Sequence, residues 1–196
     1  MIFPESEGEA AVRAARKIAE AAAEGRRVKE PLSESFSVHA GVFVTINEHP
    51  SGHLRGCIGY PEPVMPLAEA LADSAVSAAT RDPRFRPMRP GEIDGCTVEV
   101  TILTPPEKLE FIDTADMLEK IVLGRDGIIL EAKGRRARFL PQVATEQGWT
   151  KEETLDNLAW KAGLREDAWR ADGIGIRTFR GEIFKEISPN GKVVRG

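Results

Sequence analysis

Apolar residues recur at helical spacing near the start of the chain, where Val12, Ala15, Ile18, Ala19 and Ala22 fall on one face. Ser6 and Glu9 ahead of them have the spacing of a capping box, and Gly25 supplies a stop. The pattern then changes period. Val42-Phe43-Val44-Thr45-Ile46 is β-branched and aromatic and reads as a strand ending at Asn47. A turn over His49-Pro50-Ser51-Gly52 leads into a second strand, Leu54 to Tyr60, which carries Gly56 and Gly59. Two glycines so close together weaken a strand and signal that something approaches its backbone. Pro66 opens a helix with a buried stripe of Leu67, Ala70, Leu71, Ala75 and Ala78, ended by Asp82-Pro83. From Thr97 the residues alternate, Val98, Val100 and Ile102 pointing one way and Glu99, Thr101 and Leu103 the other.

A second block follows Pro105-Pro106. Thr114 is expected to cap a short helix through Leu118, Ile121 and Val122, with Gly124 at its end. Residues 128–130 and 136–140 read as paired strands around Lys133-Gly134. Pro141 starts a helix that Gly148 ends, and Thr150 with Glu153 caps another that uses Leu155, Leu158, Ala159 and Ala162. Trp149 and Trp160 are expected to anchor these helices. Ile174, Ile176 and Thr178 alternate as a strand, with a hairpin expected at Arg180-Gly181 returning through Ile183 and Phe184. Adjacent strands with flanking helices predict an α+β fold with antiparallel sheets. The pattern argues against a Rossmann-type fold, because a regular βαβ alternation with a glycine loop opening a helix is missing.

The 196 residues are 41% apolar and 30% charged, enough for a core and a solvated surface. With 31 acids against 27 bases the net charge is -4, which gives no overall electrostatic claim on nucleic acid. No run approaches the ~18–20 apolar residues of a membrane span, and no basic-then-apolar leader pattern is present. Cys57 and Cys96 are too far apart for a CxxC pair. A cytoplasmic protein without a membrane association is the resulting expectation.

The residues that invite chemistry cluster around Cys57. Simple alternation puts Arg55, Cys57 and Gly59 on one face of their strand, where a guanidinium two residues away favours thiolate. Gly56 and Gly59 leave room for a substrate or a neighbouring backbone. A buried, inert cysteine is the competing explanation. A nucleophilic cysteine needs a base, and none of His39, His49 and His53 stands in a context that marks it as one. A zinc set of His49, His53 and Cys57 is disfavoured, since Pro50 and Gly52 prevent the aligning helix and no fourth ligand is evident. No metal or cofactor is expected. Glu99 and Thr101 become acid/base or hydrogen-bonding groups if they face the same gap as Cys57. Arg81, Arg84, Arg86 and Arg89 crowd a proline-punctuated loop in which Asp82 pairs with a neighbouring arginine. Arg136 and Arg138 share a strand face; they suit phosphate or acidic peptide, though a solvated sheet edge explains them as well.

The motif LRGCIG over Leu54–Gly59, with Arg81-Asp82-Pro83-Arg84-Phe85 and Val98 to Pro106, resembles the AMMECR domain family. So do Arg138 to Ala144, Glu146 to Trp149 and Lys161 to Leu164, in order, so that the resemblance covers nearly the whole chain. It implies two subdomains, each an antiparallel sheet flanked by helices, with a cleft between them. The larger would take residues 1–110 plus 172–196 and carry LRGCIG facing the cleft; the smaller, residues 111–171, would be inserted. The chain departs from the family pattern at Arg138, where a threonine or small residue is usual, and at Ala159-Trp160. The family also implies a place beside Memo-like and radical-SAM proteins.

Three functions compete. The favoured one is a cleft protein binding a protein or peptide, with Arg55 gripping a carboxylate and Cys57 lining the site. Gly56, Gly59, Arg81, Arg84, Thr101, Arg138 and Gln142 would complete its surface. The second is a thiol-dependent enzyme using Cys57, served by Arg55 and Glu99. The third, RNA binding through the arginine clusters, is disfavoured by the acidic balance.

Overall fold

A computed structural model describes residues 3–171 and 173–196. Among these residues the elements run α1 (Glu5–Ala23), β1 (Val42–Glu48), β2 (Leu54–Tyr60), α2 (Leu67–Thr80), β3 (Cys96–Leu103), β4 (Glu107–Lys108), α3 (Thr114–Lys120) and β5 (Asp126–Ala132). They continue through β6 (Arg135–Phe139), α4 (Pro141–Gln147), α5 (Lys151–Lys161), β7 (Gly175–Glu186) and β8 (Val193–Arg195). The fold is α+β with antiparallel strand pairing. The chain forms two compact units. The first takes residues up to Thr104 together with Glu182–Gly196, and the second takes Pro105–Gly181.

In the first unit the strands lie in the order β2-β1-β3-β7, and β8 pairs with β7. Val42, Val44 and Ile46 stand opposite Ile102, Val100 and Val98, so one sheet face is a continuous apolar surface. The alanine stripes of α1 and α2 are buried in the same cluster, which closes the core on that face. Small side chains let the two helices come close to the sheet and to each other. Gly8 shows how close: a Cβ there would run into the ring of Phe184.

The second unit pairs β4 and β5 with opposite edges of β7, and β6 with β5. Its core joins Ile128, Leu130 and Ile176 to Leu155, Leu158 and Ala159 of α5 and to Met117 and Ile121. Thr150 and Glu153 form the expected capping box at the start of α5.

Four local expectations are corrected. Helix α1 starts at Glu5 with Pro4 as its N-cap and no side-chain cap, so Ser6 lies inside the first turn; Glu5 and Glu7 there suit the helix dipole. Asp113, not Thr114, caps α3 by accepting from the Asp116 amide, and the helix ends at Lys120. No hairpin forms at Arg180-Gly181: β7 runs on, and the chain turns at Ser188–Gly191, where Asn190 adopts φ +54°. Trp160 anchors nothing, standing 69% exposed, whereas Trp169 is the buried indole of that core and donates to Asp156. No helix among the described residues is long and apolar enough to cross a membrane.

Candidate functional site

The two helices of the first unit pack on the Val42–Ile46 face, which leaves the chemistry on the other side of the sheet. There Thr45 stands opposite Cys57 on one flank and opposite Glu99 on the other. The Thr45 hydroxyl donates to Cys57 Sγ at 3.2 Å. The charge of Lys185, on the neighbouring strand β7, reaches Glu99. Phe43 and Thr101 form the next row. Cys57, Thr45 and Glu99 are all half-buried. Burial pushes the Glu99 carboxyl above the usual range, and the Lys185 charge offsets part of that. Glu99 has no hydrogen-bond partner among the described residues.

Arg55 is not in this row. The β1–β2 register slips between Ile46 and Asn47, which face Gly56 and Leu54, so Arg55 is the unpaired residue of a β-bulge. The residue is 6% exposed. Nε donates to Glu92 Oε1 at 2.7 Å and Nη2 to the Arg86 carbonyl at 3.0 Å. Burial alone would raise the Glu92 carboxyl, but the bonds from Arg55 and from the Arg89 amide outweigh it and hold that group below its usual range. Arg55 is thus spent on internal partners.

The guanidinium beside Cys57 belongs to Arg84. Strand β2 is the edge of its sheet, and its outward backbone groups at Cys57 are taken by side chains of the basic loop. The Cys57 amide donates to Asp82 Oδ2 at 2.8 Å, and Arg84 Nη2 donates to the Cys57 carbonyl at 3.0 Å. Asp82 in turn accepts from Arg84 Nε at 2.9 Å and from Nη2 at 2.7 Å. This bonding to Arg84, with the Cys57 and Arg84 amides, brings the buried Asp82 carboxyl down to about 2 against the opposing effect of burial. The expected pairing of Asp82 with a neighbouring arginine is present, and it does more than neutralise charge: it finishes the strand edge.

The glycines are also used internally. A Cβ on Gly56 would strike the Ala78 carbonyl of α2, and one on Gly59 would strike the Val42 carbonyl and the Phe43 ring. The close approach anticipated at these positions comes from the protein's own backbone and an aromatic ring. Arg81 lies on the surface against Asp73 at 3.4 Å. In the second unit, Arg138 is half-buried with its guanidinium 5.7 Å from the Phe179 ring centre, and burial lowers its pKa. Gln142 is exposed at the start of α4. His39, His49 and His53 are exposed, and no group of three metal-ligating side chains occurs among the described residues.

Thr45 and Lys185 were missed in the sequence. Thr45 was readable, since Phe43, Thr45 and Asn47 alternate with the apolar Val42, Val44 and Ile46.

An α+β chain with LRGCIG on an edge strand and a carboxylate two strands away defines a class, and a family model shows which. The AMMECR1 model matches residues 12–184, and the chain belongs to that family. A protein of Methanocaldococcus jannaschii is 48% identical over 189 residues, covering 96% of this chain and 94% of the relative. One from Methanopyrus kandleri is 45% identical, covering 95% and 92%. The crystal structure of an uncharacterized protein from Pyrococcus horikoshii superposes with a TM-score of 0.77 at 40% identity, covering 99% of this chain and 98% of that one.

Proposed function

We propose that the chain binds a peptide segment of a protein partner on the sheet face that carries Cys57, Thr45 and Glu99. One observation carries this reading: on that face a thiol, a hydroxyl and a carboxyl line up across three strands, and both helices of the unit pack on the opposite side. Strands of about seven residues at ~3.4 Å each, in a sheet four strands wide at ~4.8 Å spacing, offer roughly 450 Å². A standard globular interface needs about 800 Å² per partner, so an extended peptide matches the face better than a folded domain.

Arg55 has no part in gripping the ligand, because its guanidinium is already bonded to Glu92 and Arg86. A thiol-dependent reaction is the second reading, favoured by the Arg84 guanidinium at Cys57. It is the weaker one. Glu99 lies two strands from Cys57, about 10 Å away, and no imidazole bonds to the sulfur among the described residues.

The test is selection of a random-peptide library on the immobilised protein, with Thr45→Arg as counter-target. Peptides that bind the native face and are lost on Thr45→Arg, while circular dichroism shows that variant folded, support the reading. Failure to enrich any sequence, or equal binding to both proteins, overturns it.

A further inference from the structure

Resting on that reading, we propose that Glu99 and Thr45 select the ligand by charge, so that the peptide docks a cationic nitrogen, a lysine ammonium or an arginine guanidinium, between them. Three features of the row support this. Thr45 commits its hydroxyl proton to Cys57 Sγ, so what it offers toward Glu99 is an oxygen lone pair. Glu99 presents a carboxyl that no donor among the described residues satisfies. The centre of the row therefore holds two acceptors side by side and no donor between them.

Their placement suits one nitrogen. Thr45 and Glu99 stand directly opposite on adjacent strands, where Cβ atoms lie about 4.5–5.5 Å apart, so a hydroxyl oxygen and a carboxyl rising from them can converge on one nitrogen through N–H···O bonds of about 2.9 Å. A carboxylate or phosphate placed there would face oxygen on both sides. A half-buried carboxyl without a donor is costly to ionise, and a ligand that brings its own N–H groups removes that cost. Lys185 is the internal rival: it is exposed, flexible and close enough for its charge to reach Glu99. It should weaken binding by competing for the carboxyl and repelling a second cation.

The experiment is an NMR titration of the isotope-labelled full chain with three blocked tripeptides at up to millimolar concentration: Ala-Lys-Ala, its side-chain-acetylated form, and Ala-Glu-Ala. The lysine peptide should shift the amides of Thr45, Cys57 and Glu99 saturably, and the acetylated and glutamate peptides should not. Glu99→Gln should weaken the lysine peptide at least about tenfold, as expected for a lost charge-assisted hydrogen bond, and Glu99→Asp should restore part of it. Lys185→Met should tighten it several-fold, which a purely structural role for Glu99 would not produce. If the acetylated or glutamate peptide binds the same amides as well as the lysine peptide, the charge selection is wrong while the binding face stands. If no peptide moves those amides, both fall.

Discussion

The Asp82 carboxylate permits the most quantitative test of how the Cys57 strand is held. Replacing it by asparagine keeps the shape and removes the charge. It also puts an NH₂ group where an amide or a guanidinium already donates, since Asp82 accepts from the Cys57 amide, the Arg84 amide and two Arg84 side-chain nitrogens. The magnitude follows from the Arg84 bonds and the two amides, which hold the carboxyl at about 2 against an ordinary 3.8; at 1.36 kcal/mol for each tenfold change in acidity this is about 2–3 kcal/mol. Because the folded pKa is depressed, that stability is present above about pH 4 and is lost as the pH falls toward 2. Urea unfolding of wild type and Asp82→Asn should therefore differ by about 2–3 kcal/mol at pH 7, with the gap narrowing as the pH drops from about 4 to 2. Amide exchange at Cys57 should accelerate in the variant under the same conditions. A gap below about 0.5 kcal/mol, the size of an ordinary surface change, would refute the reasoning. So would a gap that ignores pH.

Three further outcomes follow from the packing and the site. Arg16 and Glu186 form a buried bidentate pair, and Arg16 also bonds the carbonyls of Ile93 and Cys96; Arg16→Met should cost about 3 kcal/mol in urea unfolding, the lower end for a broken buried pair, because the Arg13 guanidinium and the Val98 amide still serve the Glu186 carboxylate. Gly8→Ala would ordinarily gain about 1 kcal/mol in a helix interior, but here the new methyl meets the buried Phe184 ring, so thermal denaturation should show a net loss. Glu99 has a raised pKa, so the stability linked to its protonated form is present at low pH and lost as the pH rises through the folded value. Glu99→Gln should thus match wild type near pH 4 and equal or exceed its stability at pH 8, measured by urea unfolding.

The strand rows were legible because half-buried strands write their two faces into the sequence. Val98-Glu99-Val100-Thr101-Ile102 announced which side Glu99 takes, and the register confirms that side. Arg55 was not legible by the same rule. Alternation assumes a regular ladder, and one extra residue in β2 redirects a side chain; Gly56 next to it was the sole local hint, since an isolated glycine in a strand often marks a bulge. Asp82 and Arg84 were visible as an ion pair, but their grip on β2 joins residues 25 and 27 positions apart, which no local pattern encodes. The turn after β7 was misplaced for a related reason: Arg180-Gly181 has turn chemistry, yet β5 pairs Asp126 with Arg180 and holds the strand extended.

The side-chain seal on the rim of β2 has a consequence for how the molecule behaves at high concentration. An open rim of amide and carbonyl groups invites another chain to add a strand and begin a fibril. Here an aspartate and an arginine fill the two hydrogen-bonding slots at Cys57, and both are charged, so an incoming backbone would have to strip ions from the groups it needs. The same two residues that fix the thiol's strand thus also fill the slots a neighbouring chain would need there.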